Sequence, residues 1–520
     1  MRIRSASFPL ALFVLGPACA TRLPEPPKLV EPPSVTATDA PSPPSREAPP
    51  PSGPMRPSPF PPIARGTLPN GLELAVVEAR ALPIVQVRLV VRAGTATDGE
   101  MSGLARLTAL WLREGGTKAL PSDVLLERIE SLGANLSVRV GADAVVFAMA
   151  VPRRHVEEAL SLLGQVVLEP RFNEAEFRKL KARERERVAG LSKSSGTWMA
   201  SMLLHRELYR LPTHAHPYAS FDALPTELDR IEPRHARAHY RRHYSPRNAS
   251  LVLAGDIDAS SARDLGSRFL GAWRGNEVPS PSFAAPVPRE TLTIWVADRP
   301  GSAQSDLYLG FLGPERRDED YTSLSVANQV LGGGVAGRLF LDVREKLSLA
   351  YSTSSSLGER ARGPVPVVLY AGTQTAKTGL AAQALLAHAE RISTEAPTDE
   401  EVEIARRYLA DVMAIRMETT ASLADMVVAL ETYGLPDDYY DTHREALRAT
   451  EVEDAFAAAA SYLRPDHAVL VVAGDAEKVA PMLRRFGEVR VVDPEGDFAR
   501  KMTIPPNPSA QLEGDAAPKE

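Results

Sequence analysis

Two side chains seven positions apart, Arg344 and Tyr351, carry the most explicit chemistry in this sequence. A guanidinium presents a planar fork of N–H donors that fits a peptide carbonyl, and a phenol donates to the oxyanion that forms when water attacks that carbonyl. Just upstream stand Gly332, Gly333 and Gly334, three consecutive glycines that let a backbone come close to something. No Gly-Lys-Ser/Thr follows them, so a phosphate loop is a poor reading. Spacing alone gives Arg344 and Tyr351 a bland meaning too: a solvated helix arginine and a half-buried strand aromatic.

The surrounding pattern decides between these readings. Gln304, Gly310, Pro314, Asp320-Tyr321, Asn328, Leu331-Gly-Gly-Gly334, Arg338-Leu-Phe340, Arg344-Glu-Lys346 and Ala350-Tyr351-Ser352 fall in one stretch. It resembles the C-terminal half of the pitrilysin/insulinase peptidases, the inverted zincins that include mitochondrial processing peptidase. The resemblance implies that Arg344 and Tyr351 hold a substrate backbone beside a metal, with the three glycines as part of the substrate surface.

In that family the metal sits on a helix of the first half, in a His-x-x-Glu-His motif framed by Gly-Leu-Ala and Gly-Thr. This chain keeps the frame as Gly103-Leu-Ala105 and Gly116-Thr117, with one extra residue between, but the matched positions read Arg106, Ala109 and Leu110. A helix brings i, i+3 and i+4 to one face, which is why the motif offers two imidazoles to Zn²⁺ and a carboxylate to water. Arg106 has no lone pair to give, and Ala109 and Leu110 coordinate nothing. Leu104, Leu107, Trp111 and Leu112 form an apolar stripe, so the helix reads as kept for packing. The family's third ligand, a glutamate some seventy to eighty residues on, corresponds to Glu184 or Glu186 in Lys181-Ala-Arg-Glu-Arg-Glu-Arg187. Alternating charge there reads as a solvated helix face.

Other histidines are weighed in the same way. His235, His239 and His243 fall at i, i+4 and i+8 on a predicted helix. That spacing could bind metal, but no acidic partner is aligned, and the favoured reading is a surface helix leading into the Tyr244-Ser-Pro246 turn. His214-Ala-His216-Pro-Tyr218 reads as a structural segment, as the resemblance also implies.

The chain has 520 residues, 44% hydrophobic, with a formal net charge of -6. That length predicts several structural units with ample core, and the charge gives no reason to expect nucleic-acid binding. Arg2 and Arg4, the apolar run Phe8 to Leu15 and then Cys19, the one cysteine, have the layout of a bacterial lipoprotein signal. Gly16 departs from it, standing where an aliphatic residue is usual. Export to the periplasm with a lipidated Cys19 anchoring the chain to a membrane is the expectation, with simple secretion the alternative. Pro24 to Pro62 is crowded with Pro, Ser, Glu and Ala and reads as an extended tether reaching on the order of 100 Å.

Beyond the tether the sequence repeats. Tyr244-Ser-Pro246, then an apolar strand ending at Gly255-Asp256, recurs as Tyr462 to Pro465 and a strand ending at Gly474-Asp475, with the glycines 219 positions apart. Each copy is followed by a helical stretch, 262–269 and 478–486. In the first half, Val85, Val87, Leu89 and Val91 alternate with Gln86, Arg88 and Arg92, a strand with one wetter face. Residues 138–151 give a strand or bent pair and 156–168 a helix. The second half repeats the order with strands at 292–296, 307–311 and 365–369 and a helix at 321–331. The predicted fold is α+β: two homologous sandwich halves, which the resemblance would close like a clamshell around a peptide added to a sheet edge. The expected segments are a signal at 1–19, a disordered tether at 20–63, a first domain at 64–278, a Pro-rich hinge at 279–288, a second domain at 289–503 and a disordered tail at 504–520.

Complementary loss organises the functional expectation: metal half erased, substrate half kept. The chain would bind no zinc itself and would supply Arg344 and Tyr351 to a peptide while a homologous partner carrying His-x-x-Glu-His supplies the zinc and the base. The alternatives are an inert peptidase-fold scaffold or peptide-binding protein, and an independent metalloenzyme built on the His235 cluster.

Overall fold

The computed structural model describes residues 58–212, 215–278 and 283–513. The predicted signal, Cys19, His214 and all but the end of the tether lie outside the described residues.

The first half opens with β1 (Ala64–Thr67), β2 (Glu73–Glu78) and β3 (Ile84–Val91), then α1 (Leu104–Glu114) and α2 (Ser122–Ser131). The hairpin β4 (Ser137–Val140) and β5 (Val145–Pro152) leads to α3 (Val156–Leu168), α4 (Glu174–Ser194) and α5 (Gly196–Leu208). It closes with α6 (Pro225–Arg230), α7 (Pro233–His243), β6 (Ala249–Gly255) and α8 (Ala259–Leu270). The second half starts with β7 (Thr293–Asp298), β8 (Gln304–Glu315) and α9 (Asp320–Gly332). After a single helical segment, Leu339–Lys346, come β9 (Ala350–Leu357), β10 (Pro364–Gln374) and α10 (Thr378–Thr394). Then follow α11 (Asp399–Arg416), α12 (Thr420–Tyr433), α13 (Tyr439–Ala449) and α14 (Val452–Tyr462). The chain ends with β11 (Val469–Gly474), α15 (Ala476–Leu483), β12 (Val489–Asp493) and β13 (Ala499–Ile504).

The internal repeat is a topological one. One sheet runs β1-β2-β6-β3-β5-β4 and the other β13-β12-β7-β11-β8-β10-β9. In each, a parallel pair (β2 with β6, β7 with β11) is followed by three antiparallel pairings, so five strands match one for one. Each half packs its own helices on one face of its sheet, and the two α/β halves expected from the repeat are present.

What covers the opposite faces was not foreseen. The α5 helix of the first half lies on the second sheet, where Trp198, Met199, Met202 and Leu203 share a core with Trp295, Val469 and Val471. It sits so close that a Cβ on Gly310 would lie 2.6 Å from a methyl of Leu204. Reciprocally, α12 of the second half lies on the first sheet, with Leu423, Val427 and Val428 against Val77, Val90, Val146 and Val252. Each such buried aliphatic side chain contributes about 1.5–3 kcal/mol. Burial on both faces explains why β6 and β11 are buried throughout and, Ser250 apart, carry no polar side chain.

The wetter face assigned to β3 is corrected by the same packing. Gln86 and Arg88 are each 6% exposed, under α12. Arg88 Nε donates to Asp425 (3.0 Å) and its Nη1 to the Met149 carbonyl (3.1 Å), while Arg92 reaches Glu431 (3.1 Å). Polar residues at alternate positions therefore marked an interface between halves, because an arginine paired to a carboxylate can be buried where an unpaired one cannot.

Three expected boundaries also move. The last residues assigned to the tether are anchored: Phe60 is buried, its N–H donates to Asp441 (3.2 Å) and its ring meets Tyr440. In the hinge, Phe283 packs edge-on to Tyr218, and the Val287 N–H donates to the Arg210 carbonyl (3.2 Å). At the other end, the chain past Ile504 stays attached through Asn507 N–H to the Arg484 carbonyl (2.7 Å) and through Leu512 against Gly379. Composition averages over such segments, and one aromatic or one backbone hydrogen bond is enough to order a few residues that the average calls loose.

Arg88→Ala is expected to lower stability by about 2–4 kcal/mol, since it strips a buried carbonyl and part of Asp425 of their donor. Arg139→Ala, which removes an exposed partner of the same Asp425, should cost under about 1 kcal/mol. Urea denaturation of both variants checks this, and equal losses would show that the buried arginine does not hold the halves together.

Candidate functional site

Three local irregularities place Arg344 and Tyr351. First, residues Leu339–Lys346 wind as a π-helix, with the Leu347 N–H donating to the Asp342 carbonyl five residues back (2.9 Å). Such turns are rare and frequent at functional sites. Second, Ser348 adopts a left-handed φ of 50°, which a serine takes only under constraint, and this turns the chain into β9. Third, Ala350 pairs with Thr373 and Ser352 with Gly372, so Tyr351 is the extra residue of a β-bulge. Bulges re-aim side chains. The Tyr351 side chain consequently stands 82% exposed, with the Arg344 guanidinium 5.1 Å from its ring centroid and 4.7 Å from that of Phe340.

The support beneath this pair is rigid. Arg338, buried, forms a two-pronged ion pair with Glu401 (2.6 and 2.8 Å), tying the start of the π-helix to the capping box of α11. Hydrogen bonds from Arg338 hold the Glu401 carboxyl down at about 2. Gly332 is needed where α9 ends against β9, because a Cβ there would lie 2.9 Å from the Ser355 backbone nitrogen. At Gly333 a Cβ would meet the Gln329 side chain, and at Gly334 it would have more room. These contacts give Gly332 and Gly333 a packing reason, and β9, which pairs with β10, is the last strand of its sheet among the described residues.

On the first half, α1 keeps the framing residues for structural reasons. Asp98 caps it, accepting from the N–H groups of Gly103 (2.8 Å) and Ala105 (2.6 Å), and Gly103 itself has a left-handed φ of 90°. Ala109 and Leu110 are buried in the packing of α1. Arg106 does something more specific: its Nε donates to Glu184 Oε2 at 2.7 Å. Glu184 also accepts from Arg187 (2.9 Å), which in turn pairs with Asp222 (2.8 Å).

Glu184 therefore does not lie on a solvated face; it is 6% exposed and points at α1. Burial alone would raise its carboxyl, but the hydrogen bonds and charges of Arg106 and Arg187 outweigh that and hold it below the usual glutamate range. One cation bridges the two helices at the place where the resemblance puts a metal. The donor set does not fit zinc, since a guanidinium, a methyl and an isobutyl group flank the only carboxylate. Glu186 has no such role assigned by any contact.

The His235 row is not a cluster. His235 Nδ1 accepts from the Glu232 N–H at the start of α7 (3.1 Å), and buried His239 meets Thr97 Oγ1 through Nε2 (2.9 Å). Only His239 and His243 approach each other, with ring centroids 4.7 Å apart. The surface-helix reading thus holds for His235 but not for His239. Among the described residues no group of three His, Cys, Asp or Glu side chains is arranged to hold a metal.

The sequence of this chain matches the description of the insulinase peptidases (peptidase family M16) over residues 74–220 and that of the peptidase M16 inactive domain over residues 230–409. The chain belongs to the insulinase, or M16, family. An uncharacterized zinc protease of Bacillus subtilis, YmxG, is 22% identical over 368 residues, covering 69% of this chain and 86% of that protein. An uncharacterized zinc protease of Streptomyces coelicolor is 28% identical over 198 residues, 37% of this chain and 42% of that one. The solved peptidase M16 inactive domain from Pseudomonas fluorescens shares the fold with a TM-score of 0.73 at 26% identity, covering 79% of this chain and 98% of that chain. A protease from Helicobacter pylori has the same TM-score at 16% identity, over 79% and 99%, a likeness of fold alone. Within the M16 family, this chain is a homologue whose metal positions lack donors.

Sequence reasoning missed Arg338, Glu401 and the Arg106 to Glu184 pair. The last was within reach: an arginine replacing a ligand histidine, with the ligand glutamate retained, is a charge-balanced change.

Two expectations follow from the Arg106 pair. Because the Glu184 carboxyl is depressed in the folded chain, its contribution to stability is complete above a pH of about 4.3 and is lost as pH falls below it. Arg106→Ala should remove part of that contribution already at neutral pH, by about 1–3 kcal/mol, and flatten the acid limb of a stability-versus-pH curve. Separately, Arg106→His with Ala109→Glu and Leu110→His should release Glu184 from Arg106, leaving Arg187 as its one ion-pair partner, and let it complete a zinc site. Metal analysis after dialysis should then find zinc in the triple variant and none in the parent, and absence from both would mean that α1 and α4 have lost the family spacing.

Proposed function

We propose that this chain is the substrate-gripping, metal-free subunit of a two-chain zinc peptidase, exported to the periplasm and anchored through Cys19. The observation that carries the reading is the contrast within one molecule: the exposed Tyr351 stands with the half-buried Arg344, whose Nε also lies 3.3 Å from Glu345, on the last strand of a sheet, while Arg106 and Glu184 neutralise each other where a metal would sit. An extended peptide could add to the edge of β9, its backbone groups pairing with the side of that strand away from β10. Arg344 would then hold a peptide carbonyl, and the Tyr351 hydroxyl would donate to the oxygen on which negative charge develops. Zinc held by the homologous partner would supply the activated water, because nothing at Arg106, Ala109 or Leu110 can take a proton from it.

A catalytically inert peptidase-fold scaffold or peptide-binding protein is the second reading. The exposed apolar side chains Val335, Leu341 and Leu347 near the pair favour contact with another chain whether or not chemistry follows. Reconstitution with a homologue bearing His-x-x-Glu-His separates the two. Arg344→Ala and Tyr351→Phe should each lower peptide turnover by the pair on the order of 10²-fold, the size expected for one oxyanion donor, with zinc content unchanged. Turnover indifferent to both substitutions would leave the scaffold reading.

A further inference from the structure

Where the loop after β3, the end of α7 and the turn between β9 and β10 meet, a cavity of about 410 Å³ opens between the first and second halves. Its wall includes Arg92, Arg242, His243, Arg362 and Asp143. Arg92 is neutralised by Glu73 (2.6 Å) and Glu431 (3.1 Å). Asp143 is engaged by the Tyr218 hydroxyl (2.6 Å) and the Ala361 N–H (3.0 Å). Arg242, exposed on the last turn of α7, and Arg362, in the β9–β10 turn and within electrostatic reach of Asp143, make no hydrogen bond or close ion pair among the described residues. His243 Nδ1 is buried and makes no hydrogen bond.

Two guanidinium groups and a ring nitrogen that make no hydrogen bond line one partly open space, where the single wall carboxylate, Asp143, is already engaged by Tyr218, Ala361 and the charge of Arg360, so donors outnumber acceptors. We propose that this cavity binds a compact oxyanion, held by Arg242 and Arg362 and oriented by His243, so that the ligand ties the first half to the second. Guanidinium forks suit carboxylate and phosphate alike, and the volume falls within the range of about 300–1,000 Å³ usual for ligand pockets. The carbonyl end of α7 does not compete with an anion. The His243 carbonyl already accepts from Asn248 Nδ2 (2.9 Å) and the Ser245 N–H (3.1 Å). Burial and then Arg242 push the His243 imidazole down to about 4, so at neutral pH it brings one N–H and one lone pair. The site is separate from Arg344 and Tyr351, and its test needs no partner subunit.

Calorimetric titration of the purified chain with inorganic phosphate, with a pentapeptide free acid and with the same peptide as its C-terminal amide distinguishes the sources. Saturable phosphate binding supports a free-anion site. Binding of the free acid at least tenfold tighter than the amide supports a peptide carboxylate. In either case Arg242→Gln with Arg362→Gln, which disturbs no hydrogen bond of the fold, should weaken binding at least tenfold, and Arg241→Gln next door should leave it unchanged. Failure of phosphate and free acid both to bind, or equal binding by parent and double variant, overturns the proposal.

Discussion

The architecture depends on an exchange. Each half of the duplicated chain lends one helix to the far face of the other half's sheet, α5 in one direction and α12 in the other. A sheet covered by helices on one side only would expose the other face of β6 or β11, strands that are buried at every position and apolar except at Ser250. Neither half can therefore bury its own sheet alone. The pieces that complete each core come from beyond the linker, so each of the two halves closes on a helix of the other. Ion pairs add register to this: Arg88 with Asp425 and Arg92 with Glu431 fix which turn of α12 lies over which residue of β3. Buried pairs of this kind contribute more to uniqueness than to net stability, because desolvation offsets most of the Coulomb gain.

The same logic of charge pairing applies between α1 and α4. A divalent ion held between two helices is a cross-link as well as a reagent. Removing its ligands while keeping a buried glutamate would leave an uncompensated charge facing α1, a costly state. Arg106 restores the balance with a fixed positive charge at 2.7 Å from Glu184, and Arg187 shares the load. The pair links α1 to α4 as a shared ligand would, while a guanidinium holds no open position for water.

How much of this could be read from the residues alone follows from range. Local patterns were legible: the helix at 156–168 matches α3, and the repeat around Gly255 and Gly474 announced matching halves. Distant partnerships were not. Gln86 and Arg88 look like a wet strand face because nothing nearby in sequence reveals that α12, more than three hundred residues on, will cover them. Glu184 sits in a run of alternating charge that favours a solvated helix on composition, and only the approach of Arg106 shows that one member of the run faces inward. Arg344 and Tyr351 were visible as a motif, whereas the devices that present them were not, since a π-helix, a left-handed serine and a bulge have no sequence period to detect.

Those three devices also say something about where functional capacity resides in this fold. The regular elements of the second half copy those of the first, yet no counterpart of the Arg338 to Tyr351 segment's winding is required by the repeat. A straight α-helix followed by an unbulged strand would satisfy the same backbone hydrogen bonds with less strain. Ser348 in the left-handed region costs on the order of 1–3 kcal/mol, held in place by the surrounding packing. Strain at that position has one visible consequence, the outward turn of Tyr351 beside Arg344 on the last strand of the sheet. The segment thus carries its strain where it sets an outward-turned phenol against a half-buried guanidinium that also lies 3.3 Å from Glu345.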